Sequence, residues 1–93
     1  KAWIRKGYLI VGTPWRLNFD LLVDLEYTET AIVALIHRLD DYGVGMSDDE
    51  AIQDLLFSIV DFRESLERRV AANALLSEEL QRTLQILQQL LVR

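Results

Sequence analysis

Apolar and polar residues alternate along "LNFDLLVDLEY": Leu17, Phe19, Leu21, Val23, Leu25 and Tyr27 fall on one side, Asn18, Asp20, Asp24 and Glu26 on the other. Leu22 is the single exception. A period of two sustained this long predicts a strand with one dry and one wet face. The polar break at 28–30 and the β-branched run "AIVALIHRL" predict a second strand reaching Leu39. Two strands joined this closely must be antiparallel, because a parallel return needs a crossover. The earlier "YLIVG", punctuated by Gly12, Thr13 and Pro14, predicts one more strand.

After Asp49 the period lengthens to that of a helix. Ile52, Leu55, Leu56, Ile59, Leu66 and Val70 recur at three- and four-residue steps, with Phe62 or Arg63 completing the line. A helix over 47–70 is expected, with Glu64 and Arg68 placed to pair one turn apart. "AANALL" interrupts it, with Asn73 as turn residue, and Ser77, Glu78 and Glu79 supply the cap and acidic first turn of a second helix, 77–92. The fold class is therefore α+β: a single domain, 1–93, with a small antiparallel sheet of two or three strands in 1–39 and two helices packed on one face.

In the second helix Leu80, Leu84, Leu87 and Leu91 form one stripe, which Ile86 and Leu90 widen. That stripe either closes the core or seals an interface between copies. The chain has 93 residues and no cysteine, so no disulfide can staple it. Domains this small often gain stability by association, and a homo-oligomer is expected. No apolar run is long enough to cross a bilayer, so a membrane partner is not expected and the cytoplasm is the default location.

The stretch "DDYGVGMSDDEAIQDL" holds most of the candidate chemistry. Two glycines beside a helix start invite a phosphate-loop reading, but Asp48, Asp49 and Glu50 would repel an anion there, and no Gly-Lys-Ser/Thr ending follows. The simpler expectation is a bend permitted by Gly43 and Gly45, with Val44 and Met46 packed, then Ser47 capping the helix and Glu50 completing a capping box. A metal site is poorly supplied. Asp20 and Asp24 would stand about 13 Å apart on a strand, and Asp40, Asp41, Asp48 and Asp49, expected near one sheet end, lack the spacing of a calcium loop.

Catalytic groups are equally sparse. His37 is the only histidine, expected to be a partly buried sheet residue; an enzyme would need a pocket joining it to at least two acids. No catalytic residue, cofactor or metal is predicted. Net charge is −5 and unevenly spread: residues 40–54 hold six acids and no base, residues 1–16 hold four bases and no acid. The acidic part suits a basic protein, and the basic arm with Trp3, Tyr8 and Trp15 leaves direct contact with nucleic acid open.

A V/I/L-rich hairpin, a tyrosine-glycine-x-glycine element and an acid-capped helix together resemble the HicB-like antitoxins. Their signature is glycine-x-glycine-x-Thr-x-x-Glu-Ala before an amphipathic helix. Gly43, Gly45, Ser47, Glu50 and Ala51 match it, Asp54 and Leu55 continue it, and the resemblance covers about 17–67. Ser47 stands where threonine is usual, and no ribbon-helix-helix or helix-turn-helix segment follows. The resemblance implies a partial RNase H-type sheet that neutralises a small basic RNA-cleaving toxin of the HicA type by occluding it. Asp40, Asp41, Asp48 and Asp49 are the expected docking face on electrostatic grounds. The competing expectation is a structural or self-assembling adaptor sealed by the leucines of the second helix, with no toxin partner.

Overall fold

A computed structural model describes residues 1–93, which run β1 (Ala2–Ile4), β2 (Arg16–Leu17), β3 (Leu21–Tyr27), β4 (Ile32–Ile36), a 3-10 turn (His37–Leu39), β5 (Asp41–Gly45), α1 (Asp48–Ala71), α2 (Glu78–Leu90) and β6 (Leu91–Val92). Four strands form one antiparallel sheet in the order β1-β3-β4-β5, and β2 pairs with β6 in a separate ladder. The α+β class expected from the hydrophobic periods is the one observed. The sheet is larger than two or three strands because residues at both ends of the predicted hairpin also pair.

The alternation holds at the start of the strand and fails at its end, where Tyr27, expected on the dry face, is exposed. Leu21 and Val23 are buried beneath the helices, while Leu22 and Glu26 face out. The strand is shorter than the pattern: residues 18–20 leave the ladder, and Phe19 is exposed. Leu22, the exception in the polar set, lies opposite Trp3 of β1, so the open face of the sheet is itself partly apolar.

Three other expectations need correction. "YLIVG" is no strand of the main sheet; it is one arm of an irregular loop, bridged to the chain at Leu9–Arg16, with Ile10 completely buried. The second strand stops at Ile36, because the 3-10 turn tucks Leu39 into the core and Asp40 then takes a left-handed φ of 52° to start β5. The second helix ends at Leu90, and Leu91–Val92 continues as β6 against Arg16–Leu17.

α1 lies across β5 and β4 and buries Ala51, Ile52, Leu55, Leu56, Ile59, Val60 and Leu66. Its start is capped as the sequence implies: the Glu50 amide donates to the Ser47 hydroxyl, 3.2 Å. The reciprocal arm differs by one residue, since the Glu50 carboxylate accepts from the Met46 amide, 2.8 Å. Asn73, at φ 60°, turns the chain after α1, and Ser77 caps α2 by accepting from the Leu80 amide. Glu64 and Arg68 form no ion pair; Arg63 pairs with Glu67 instead, 3.0 Å.

The leucine stripe of α2 belongs to the chain's own core. Leu84, Leu87 and Leu91 are buried and Leu80 packs partly against them, so these four leucines are not free to seal a second copy. Core closure is the outcome because a helix this short has only one apolar stripe, and α1 and β6 take it.

Candidate functional site

The site begins with the glycines. Gly43 and Gly45 lie within β5, not in a bend, and neither has a positive φ. Their function is spatial. A methyl group on Gly43 would enter the backbone of α1, with the Leu55 Cα only 2.7 Å away; one on Gly45 would stand 2.5 Å from the Ala51 nitrogen. Gly43 pairs with Ala34, and Ala51 faces it from the helix, so small residues on three elements let α1 rest on the strand. Period two then sends Tyr42 and Val44 to the other side. They are exposed, as is Met46 at 77%, so the expected packing of Val44 and Met46 is not found.

β5 is an edge strand, and the acids of the motif close its edge. The Tyr42, Val44 and Met46 amides donate to the carboxylates of Asp41, Asp54 and Glu50 respectively, each at 2.8 Å. Asp41 also accepts from the Ser58 hydroxyl, 2.8 Å. An edge with its donors already occupied by side chains is a poor template for another strand. Sequence reasoning assigned the acids to capping and docking and missed this use. The acids are visible in the sequence, but that Asp41, Glu50 and Asp54 flank an edge strand is decided by the strand order.

The four acids expected to form one docking face do not converge. Asp40 precedes β5 and Asp41 opens it, whereas Asp48 and Asp49 follow it, so the length of the strand separates the pairs. Asp41 joins Asp54 and Asp61 instead, around a groove of about 410 Å³ walled by Tyr42 and Phe57. Asp48 accepts from the Tyr27 hydroxyl, 3.2 Å, and this bond to a carboxylate raises the Tyr27 pKa above its usual 10.0. No three of the carboxylates and His37 are grouped as metal ligands.

His37 is not a buried sheet histidine. It sits in the 3-10 turn, 73% exposed, with Nε2 2.8 Å from the Asp24 carboxylate; Lys1 approaches that carboxylate's other oxygen at 3.8 Å. The pair borders a groove of about 400 Å³ at the sheet end where β3 starts and β4 finishes. Asp20 borders it too, so His37 does share a pocket with two acids. Both acids are occupied: Asp20 accepts from the Lys6 amide at 2.8 Å and from Arg5 at 3.2 Å, and these bonds lower its pKa below 3.8, the backbone bond contributing most. The groove's side chains include no hydroxyl or thiol.

The basic arm is also divided. Trp15 is buried, with the Arg63 guanidinium 4.0 Å and the Arg93 guanidinium 4.8 Å from its ring; Trp3 remains 55% exposed. No helix is long and apolar enough to cross a membrane. Neither family models, nor curated proteins, nor solved structures give a match to this chain.

Proposed function

We propose that this chain is a protein-binding module that occludes a small basic partner, as an antitoxin holds an RNA-cleaving toxin of the HicA type. The observation that carries the reading is an exposed apolar run along β5, Tyr42, Val44 and Met46, with Phe57, Asp41, Asp54 and Asp61 around the groove at its Tyr42 end and Asp48 opening the helix just beyond Met46. No lysine or arginine occurs from Asp40 to Phe62. An apolar centre with a rim of one charge is the anatomy of a surface that buries a partner of opposite charge. Asp41, Asp48 and Asp54 accept bonds from neutral donors of this chain, which orient the carboxylates without cancelling their charge. Occlusion requires no catalytic residue in the inhibitor.

The test is to co-express this chain with any small basic protein encoded beside it and measure affinity against salt. A tight complex is expected, weakened at least about tenfold by Met46→Glu or by Asp48→Lys with Asp49→Lys, and weakened by rising ionic strength. RNA cleavage by the basic partner should cease when this chain is added. The absence of a complex, or one indifferent to salt and to both variants, would reject the reading.

A further inference from the structure

The groove at the start of β3 carries a different chemistry from the acidic strip. Its walls are mostly apolar, with Trp3, Phe19 and Leu22 on one side and Ile86 and Leu90 of α2 on the other. Four charged or titratable residues border it, and three are already engaged. Asp20 is held by Arg5 and the Lys6 amide, and Asp24 is held by Lys1 and His37. The fourth, Arg38, forms no ion pair. One free guanidinium therefore stands at the lip of an apolar groove whose own carboxylates are offset by cations of this chain.

The nearby end of α2 would ordinarily repel an anion, because the last carbonyls of a helix carry its negative pole. Here they are taken. The Asn18 side chain and amide donate to the Gln89 and Leu90 carbonyls, at 3.0 and 2.8 Å, and Arg63 donates to the Leu87 and Leu91 carbonyls. A pocket of a few hundred Å³, mainly apolar with one convergent charged group, has the form of a small-molecule site. We propose that this groove binds a free small monocarboxylate with an apolar, ring-bearing body. The ring lies against Trp3, Leu22 and Ile86, and the carboxylate takes the planar fork of Arg38.

The probes are naphthoate and its neutral isostere naphthamide, titrated into the whole chain and followed by calorimetry and by backbone amide shifts at Leu22, Arg38 and Leu90. Naphthoate is expected to bind one molecule per chain at about millimolar strength or better. Naphthamide should bind at least about tenfold more weakly, since it cannot form the charge-assisted pair. Arg38→Gln, an exposed and unpaired position, should bring naphthoate down to the level of naphthamide while leaving thermal stability unchanged. Leu22→Glu should abolish binding of both. The proposal is overturned if acid and amide bind alike, if Arg38→Gln leaves the affinity of naphthoate intact, or if millimolar naphthoate moves none of those amides. None of these readouts depends on the acidic strip, so a failure here leaves the protein-binding reading standing, and the reverse.

Discussion

Val44 donates its backbone amide across 2.8 Å to the carboxylate of Asp54, so a side chain from the second turn of α1 closes the outer edge of β5. This contact links the helix that covers one face of the sheet to the edge where that sheet could otherwise grow. Asp54→Ala should cost about 1 kcal/mol, the net worth of one hydrogen bond. It should also produce concentration-dependent association through the freed edge. Urea denaturation and light scattering would measure the two effects. A variant as stable and as dispersed as the parent would show that the bond contributes nothing.

The close approach of α1 to β5 makes Gly43→Ala a severe change. The added methyl meets helix backbone, which cannot rotate away as a side chain can. A loss of about 3 kcal/mol or more is expected, at the upper end for overpacking. Gly45→Ala should cost less, because the added methyl would stand farther from the helix backbone than at Gly43, 2.5 Å from the Ala51 nitrogen. Thermal melts of the two variants would order them, and the reverse order would contradict the packing account.

Arg63 ties the C-terminal strap to the core. Its side chain is 11% exposed, and the guanidinium donates to the Leu91 carbonyl and stacks on Trp15 at 4.0 Å. Arg63→Met keeps much of the apolar stem but leaves the carbonyls unpaired, and should destabilise the fold by about 2–4 kcal/mol. Hydrogen exchange should rise first at Leu91 and Val92, where β6 would detach from β2. Uniform exchange along the chain would mean that Arg63 does not act through the strap.

Tyr27 and Asp48 give a pH signature at the alkaline end. The phenol is stabilised in its neutral form by the carboxylate it donates to, so its folded pKa lies above 10.0. Its contribution is complete below the unfolded value and disappears as pH rises through the folded one. Asp48→Asn should return the phenolate absorbance change toward pH 10.0, the ordinary value. An unmoved titration would disprove the pairing.

Asp20 gives the acid counterpart. Its carboxyl is held below 3.8 by the Lys6 amide first and by Arg5 second. A depressed folded pKa contributes stability above the unfolded value and loses it as pH falls through the folded one. The Asp20→Asn variant should therefore show a shallower loss of stability than the parent below about pH 4. Acid denaturation curves that superimpose would remove Asp20 from the account.

The capped helix start, the left-handed Asn73 and the antiparallel Leu21–Tyr27 and Ile32–Ile36 pair were legible from local pattern. Each rests on a rule that acts within a few residues: capping chemistry, a permitted φ, or period-two alternation. The candidate site was legible only as a composition, acids beside glycines. Its geometry depends on which strand lies at the edge and which way α1 crosses it, and both are long-range outcomes.

The sequence by itself determined the α+β class, the helix starts and the surplus of acids over residues 40–54. Tertiary structure alone decided what those residues do. It turned Gly43 and Gly45 from a bend into a bearing surface for α1, because a helix can approach a strand that closely only where no Cβ intervenes. It sent Asp41, Glu50 and Asp54 to the amides of β5, because an edge strand leaves donors that some acceptor must satisfy. It also drew the α2 leucines into the core, because α1 and the β6 ladder offered the nearest apolar surface to cover them.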